Sequence, residues 1–220
     1  MVFSFTLERD NLLFSFATRQ EAIYLQIFKE NVMRKLIMWN VITLDGYFEG
    51  EKNWDLSFHE LVWSKELEEL SLTQLNSADM LVFGATTYKG MADYWTKAGE
   101  EEGEIAKLMN EIRKVVCSST LKTADWNNTI VVKDAVAEIS NLKHQGNGDM
   151  FVFGSGNLSE SLIKADLFEE FRLCIAPVFL GDGRRLFNQG IPYKKLKQLE
   201  ARPLSTGGII VRYAPEKESR

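Results

Sequence analysis

The sequence predicts an α/β layer architecture with a largely parallel sheet that finishes in antiparallel strands. Three observations lead there. Nearly continuous apolar runs of strand length recur along the chain, amphipathic helical segments alternate with them, and that alternation stops before the last two runs. With 220 residues, 45% of them hydrophobic, the chain can bury a sizeable core as one domain or one domain with an appendage.

Residues 1–32 read differently from the rest. "FSFTLER" alternates only weakly, and "QEAIYLQIFKEN" sets Ile23, Ile27 and Phe28 at helical spacing without a connected strand to follow. This stretch is read as an N-terminal extension of unknown role. Met33, followed by two cations and a strand, is read as the natural or ancestral start of a domain spanning 33–220. From there the expected strands are "KLIMWNVITL", "DMLVFG", "KVVCSS", "TIVV", "MFVFG", "FRLCIAPVFL" and "GIIVRYA". Helices are expected around "ELVWSKELEELSLTQL", with Leu61, Leu67, Leu70 and Leu75 on one apolar stripe, and at "EEGEIAKLMNEI" and "AVAEISNLKH". Right-handed crossovers should join the parallel strands.

Composition narrows the function classes. The net charge is −5 and the isoelectric point near 5.3, with no basic stripe, so a nucleic-acid partner has no electrostatic footprint. Cys117 and Cys174 each lie within an apolar run, as buried hydrophobes of a reducing compartment do. His59 and His144 stand far apart without nearby cysteines, so no metal site is expected. No apolar stretch reaches the roughly 18 residues of a membrane helix, and the N-terminus lacks a basic region of the signal-peptide kind. A cytoplasmic protein without membrane contact is expected.

Two strand-to-helix turns stand out. In "FGSGNLSESLI", Gly154, Ser155 and Gly156 follow a strand and a helix begins near Asn157; glycines and the free N–H groups of a first helical turn make an anion site. The same stretch is equally a tight connection capped by Ser155 or Asn157, and it lacks the spacing of the dinucleotide fingerprint. In "LVFGATTY", Gly84 ends a strand and Thr86 and Thr87 offer hydroxyls at another helix start, either to a ligand or as simple caps. "VVCSSTL" ends a third strand with Ser118 and Ser119. Together the three ends outline a polar trail that an extended phosphate-bearing cofactor can follow.

The ordered set "LIMWNVITLDGYFEG", "DMLVFGATTY", "KVVCSSTL", "MFVFGSGNLSESLI" and "APVFLGDGRRLF" resembles the dihydrofolate-reductase-like family, in its branch similar to the reductase domain of the bifunctional riboflavin-biosynthesis deaminase-reductase. The resemblance covers about residues 34–214. It implies a three-layer α/β fold with helices on both faces of the sheet, and an NADPH-dependent reductase of a small heterocyclic, pteridine- or pyrimidine-like substrate. It implies a homodimer as well. Carried over by position, the backbone at Asn40 and Val41 would meet the nicotinamide carboxamide, Gly84, Thr86 and Thr87 would cradle phosphate, Ser118 and Ser119 would lie by the adenosine end, and Gly154, Ser155, Gly156, Asn157 and Leu158 would hold the pyrophosphate.

Two positions depart from that pattern. Ala85 and Ser119 stand where the branch usually carries cations facing the 2′-phosphate of NADPH, so relaxed or altered selectivity, with NADH possible, is expected unless Lys89, Arg113, Lys114 or Lys122 compensates. A proton donor for a reduced C=N bond is usually a carboxyl in an apolar pocket. Asp45 in "LDGYF" and Glu60 are the catalytic candidates, Asp45 serving alternatively to order a loop or cap a turn. Arg184 or Arg185 in "GDGRRLF" would meet an anionic substrate group or a dimer contact. The alternative from another class is a nucleotide-binding protein without turnover, acting as sensor or scaffold.

Overall fold

The computed structural model describes residues 33–99 and 102–216; the expectations for residues 1–32 lie outside it. Strand β1 (Leu36–Thr43) is buried along its whole length because it lies mid-sheet with helices on both faces. Its side chains alternate between two cores, Ile37, Trp39 and Val41 on one face and Leu36, Met38 and Ile42 on the other. A short β2 (Tyr47–Glu49) and a 3-10 turn (Ser57–Leu61) lead to helix α1 (Lys65–Ser77). Strand β3 (Ala78–Gly84), helices α2 (Ala85–Trp95) and α3 (Gly103–Glu111), and strands β4 (Arg113–Cys117) and β5 (Thr129–Val132) follow. Helix α4 (Ala135–Leu142), strand β6 (Asp149–Phe153), helix α5 (Gly156–Lys164) and strand β7 (Glu170–Ala176) continue the alternation. The chain closes with β8 (Arg184–Arg185), β9 (Leu196–Pro203) and β10 (Ile209–Pro215).

The main sheet has eight strands in the order β5-β4-β3-β6-β1-β7-β10-β9. Pairings from β5 to β7 are parallel, and β10 joins both β7 and β9 antiparallel, as the final apolar runs predict. One face is covered by side chains from α1, α2 and α3, including Leu67, Leu75, Tyr88, Ile105 and Met109. The other is covered from α4 and α5 by Ile139, Leu142, Leu158, Leu162 and Ile163. Three layers result. The chain runs outward through β3, β4 and β5, then returns to place β6 between β3 and β1, which leaves a crevice outside the carboxyl ends of the central strands.

The structure corrects three details. The stripe drawn through Leu61 starts too early: α1 begins at Lys65 behind its N-cap Ser64, and Leu61 sits 48% exposed in the preceding 3-10 turn. "FRLCIAPVFL" stops being strand at Ala176, where Pro177 removes a ladder donor. Strand β9 has no apolar run because it is the exposed edge of the sheet, paired only to β10.

Candidate functional site

A cleft of about 1650 Å³ runs along the carboxyl ends of β1, β3, β4 and β6. That is room for more than one drug-sized ligand. It is bordered by Asn40, Val41, Gly84, Thr86, Thr87, Ser118, Ser119, Gly154, Ser155, Gly156, Asn157 and Leu158, so the three strand ends singled out in the sequence meet at one surface. Glu60 is on its rim, and Asp45 is not part of its wall.

Two helices start at the centre of this cleft, α2 after Gly84 and α5 after Ser155. Neither start has a side-chain cap, and neither has an acidic residue in its first turn. The free N–H groups and the positive end of each helix dipole therefore face the cleft unopposed. Ser155 holds the N-cap position of α5, as one reading of the sequence expects, but its side chain makes no capping hydrogen bond, and Asn157 lies inside the first turn. Ser155 adopts φ 62°, and its hydroxyl reaches sideways, accepting from the N–H of Gly84 at 2.7 Å and donating to Thr87 Oγ1 at 2.7 Å. One serine thus ties the two helix starts together. A Cβ at Gly84 would fall 2.9 Å from Ser155 Oγ, and one at Gly154 (φ 59°) 3.1 Å from the Thr87 methyl, so both glycines are needed for this approach.

Ser118 turns its hydroxyl inward, accepting from the N–H groups of Thr120 (3.2 Å) and Leu121 (3.0 Å), while Ser119 is exposed. Cys117 also borders the cleft, and burial pushes its thiol up to about 12, which keeps it a protonated hydrophobe. Of the four compensating cations named from sequence, none borders the cleft. Lys114 is fully buried, donating to the carbonyls of Asn110, Ile112 and Asn127 with its ammonium 4.5 Å from the Trp126 ring. The cleft's lysine is Lys133, which sequence reasoning missed because nothing in "VVKDAV" marks it.

The other end of the cleft is aromatic and mostly uncharged, walled by Trp39, Trp54, His59, Trp63, Leu67, Ser71 and Gln74. Trp54 holds φ 67°, an uncommon conformation for a large side chain, and its ring lies over Gly90 of α2, where any Cβ would collide with it. Its N–H donates to the Glu49 carboxylate, which is itself buried and 3.2 Å from Arg184. These links strap residues 50–56 across the cleft. Burial pushes His59 down to about 4, leaving a neutral imidazole whose Nε2 has no hydrogen-bond partner.

Asp45 has a different task from the catalytic one considered for it. Its carboxylate accepts from the Thr43 hydroxyl at 2.5 Å, from Leu180 N–H at 3.1 Å and from Gly181 N–H at 2.8 Å. Desolvation acts upward on this group, but those hydrogen bonds, from Thr43, Gly181 and Leu180, outweigh it and hold the carboxyl at about 2. An acid so clamped is ionised and pins the loop after β7 to the β1–β2 turn, the loop-ordering alternative named from sequence. Glu60 is exposed, unlike a carboxyl in an apolar pocket.

The chain has relatives in sequence and in fold. It is 30% identical over 184 residues to the Bacillus subtilis (strain 168) protein YyaP, itself uncharacterized, covering 82% of this chain and 94% of that one. In fold it is similar to a protein of Shewanella sp. PV-4 named for riboflavin biosynthesis, with TM-score 0.69, 18% identity, and coverage of 83% of this chain and 99% of that one. It is also similar to a Thermotoga maritima diaminohydroxyphosphoribosylaminopyrimidine deaminase/5-amino-6-(5-phosphoribosylamino)uracil reductase (TM-score 0.59, 15% identity, 84% of this chain and 57% of that one). Dihydrofolate reductase of Enterococcus faecalis, complexed with NADP(H) and RAB-propyl, shares the fold with TM-score 0.57 and 13% identity over 83% of this chain and 97% of that one. The RibD C-terminal domain profile matches residues 34–210, nearly the whole of the described sheet and its helices, and the chain belongs to that family.

Proposed function

We propose that the protein is an NAD(P)H-dependent reductase that transfers hydride to a small pteridine- or pyrimidine-like heterocycle. The observation that carries this reading is the pair of uncapped, acid-free helix starts joined by Ser155 at the centre of the cleft. A pyrophosphate supplies what those N–H groups lack. The residues fit a dinucleotide at three further points. Gly84 and Gly154 let the two helix starts approach closely enough for Ser155 to join them, and Asn40, 6% exposed, carries a buried amide donor without a partner among the described residues.

When bound, the nicotinamide supplies the hydride. The chain's own residues bind, orient and shield. Gly84, Thr86, Thr87 and Gly154 to Leu158 hold the phosphates, Ser118 and Ser119 flank the adenosine end, and the backbone at Asn40 and Val41 meets the nicotinamide. Trp39, Trp54 and Trp63 offer flat apolar surface for a heterocycle, with Ser71, Gln74 and the neutral His59 giving uncharged polar contacts. Trp54 and its strap exclude water. Glu60 on the rim is the carboxyl left as a candidate to relay a proton from solvent, while Asp45 fixes the loop behind β2. Arg184 and Arg185 border the same end and suit an anionic group on the substrate.

One observation favours a second reading, a nucleotide-binding protein without turnover: among the described residues no unpaired carboxyl is buried in the aromatic end, since Asp45 is clamped by hydrogen bonds, Glu49 is paired with Arg184 and Glu60 is exposed. Calorimetric titration with NADPH and NADH tests the shared part, and micromolar binding of either supports both readings. Stereospecific loss of one C4 deuteride to a heterocyclic acceptor selects the reductase; binding without transfer across a broad acceptor panel selects the sensor. We also propose a homodimer, read as about twice 25.2 kDa by light scattering, and a reductase unit starting at Met33. A chain beginning there should unfold as cooperatively as the full chain; loss of that transition removes the assignment.

A further inference from the structure

Helix α1 brings Leu67, Ser71 and Gln74 to the aromatic end of the cleft, since positions i, i+4 and i+7 share one helix face. Gln74 is only 2% exposed, yet it borders the cleft. Its amide oxygen accepts from Arg172 Nη1 at 3.4 Å, and its amide nitrogen makes no hydrogen bond among the described residues. An arginine only donates, so the amide must turn its oxygen to Arg172. The two N–H groups on its nitrogen are then left for whatever fills the cleft.

Arg172 is itself held from behind. It is the register partner of Trp39 on the face of the sheet that α1 covers, and Glu170 lies two residues earlier on the same face. The Glu170 carboxylate, 3% exposed, accepts from Arg172 Nε at 2.6 Å and Nη2 at 3.3 Å, and from Arg212 Nε at 2.6 Å. Arg212 in turn reaches Glu200 at 3.1 Å, and the Arg172 guanidinium lies over the Phe151 ring at 5.3 Å. Desolvation acts upward on the Glu170 carboxyl, but hydrogen bonds and charge from Arg172 and Arg212 outweigh it and hold it below its ordinary value, so it stays ionised. The guanidinium is thereby fixed, and the Gln74 amide keeps one orientation. A buried donor pair that cannot flip rejects a group that also donates, because N–H would face N–H and both would go unpaired.

Resting on the reductase reading above, we propose that Gln74, positioned by Arg172, is the specificity-determining residue of the aromatic end: it donates to a ring carbonyl, so the site takes oxo-heterocycles and rejects analogues that carry an amino group in place of that carbonyl. The preference should be about tenfold to a hundredfold, the range that one unpaired buried polar group yields.

The test is calorimetric titration of the full chain and of its Gln74→Met, Gln74→Glu and Arg172→Met variants with 2-amino-4-oxopteridine and 2,4-diaminopteridine, each with and without NADPH. The wild type should bind the oxo compound about tenfold to a hundredfold more tightly. Gln74→Met, similar in volume, should bring the two dissociation constants within about threefold. Gln74→Glu keeps an acceptor for Arg172 but offers only acceptors to the cleft, so it should invert the preference, which a mere loss of packing does not do. Arg172→Met leaves Glu170 paired with Arg212 and should erase most of the preference by freeing the amide. A wild type that binds the two compounds equally, or binds neither, overturns the assignment, as do Gln74 variants that keep the wild-type ratio; Arg172→Met keeping that ratio overturns the positioning role. In each of these cases NADPH binding by the same samples leaves the reductase reading standing, whereas a wild type that binds neither heterocycle nor dinucleotide overturns both. Cooperative thermal unfolding verifies the fold of each variant, and a Gln74 variant without it is replaced in the comparison by the other.

Discussion

The starts of α2 and α5 differ from those of α1 and α4, while α3 is intermediate, uncapped but with Glu104 in its first turn. Helix α1 begins behind Ser64, whose hydroxyl accepts from Leu67 N–H, and carries Glu66 and Glu68 in its first turn. Helix α4 is capped by Asp134 and followed by Glu138. Helices α2 and α5 have neither cap nor acid. Capping and first-turn acids stabilise a helix, so the two starts that border one cleft forgo a stabilisation that α1 and α4 keep, and this is the contrast on which the proposed dinucleotide site rests.

The strongest way to break that contrast is to make the bare starts resemble the capped ones. Thr86→Glu with Asn157→Asp should lower dinucleotide affinity about a hundredfold by calorimetry, while complementing the helix dipoles and raising the melting temperature by about 1–3 °C per substitution. Affinity unchanged by the added carboxylates would remove the anion site from the centre of the cleft.

The second test concerns the turn that leads into the capped helix α1, where His59 is neutral by burial. Its folded value is about 4 against 6.5 ordinarily, so the unfolded chain takes up a proton that the folded one refuses. Stability is full above pH 6.5, falls as pH drops from 6.5 toward 4, and loses about 2–3 kcal/mol through this group by pH 4. Asp45, held at about 2 against 3.8, adds its own loss only below that window. Denaturant unfolding of His59→Leu between pH 7 and 4 should therefore show a flatter profile than the wild type; an equal slope would place His59 in contact with solvent.

Gly154→Ala is a smaller perturbation of a bare start. It places a side chain at φ 59° and against Thr87, and should cost about 1–2 kcal/mol of stability while weakening dinucleotide binding as well. The smallest effect belongs to a capped start: Ser64→Ala should cost about 0.5–1 kcal/mol and leave dinucleotide affinity unaltered. Affinity that follows the Ser64 cap would erase the distinction between the two kinds of helix start.

Much of the molecule is legible in the sequence because its information is local. The run "LIMWNVIT" spells a strand buried on both faces, and "LVFG" and "MFVFG" spell strands that end in glycine before a helix. Elements with weak local signals escape: β9 mixes charged, polar and apolar residues on an edge, and β2 and β8 are two or three residues paired to each other. The site shows the same division. Gly84, Thr87, Ser155 and Ser118 are visible at strand-to-helix turns and strand ends, whereas Trp54, His59 and Lys133 sit in stretches with no motif and reach the cleft only through pairing and packing.

By itself the sequence determined the alternation of strands and helices, the two buried faces, and which strand ends carry glycine and hydroxyl side chains, since periodicity and backbone preference act over a few residues. Only the tertiary structure decided that Ser155 would link two helix starts 71 positions apart in sequence, that Asp45 would clamp a loop 135 residues away instead of facing the cleft, and that Lys114 would be buried while Lys133 borders the cleft. Those outcomes depend on strand order and register, which bring distant backbone donors and charges together and are not written in any one segment.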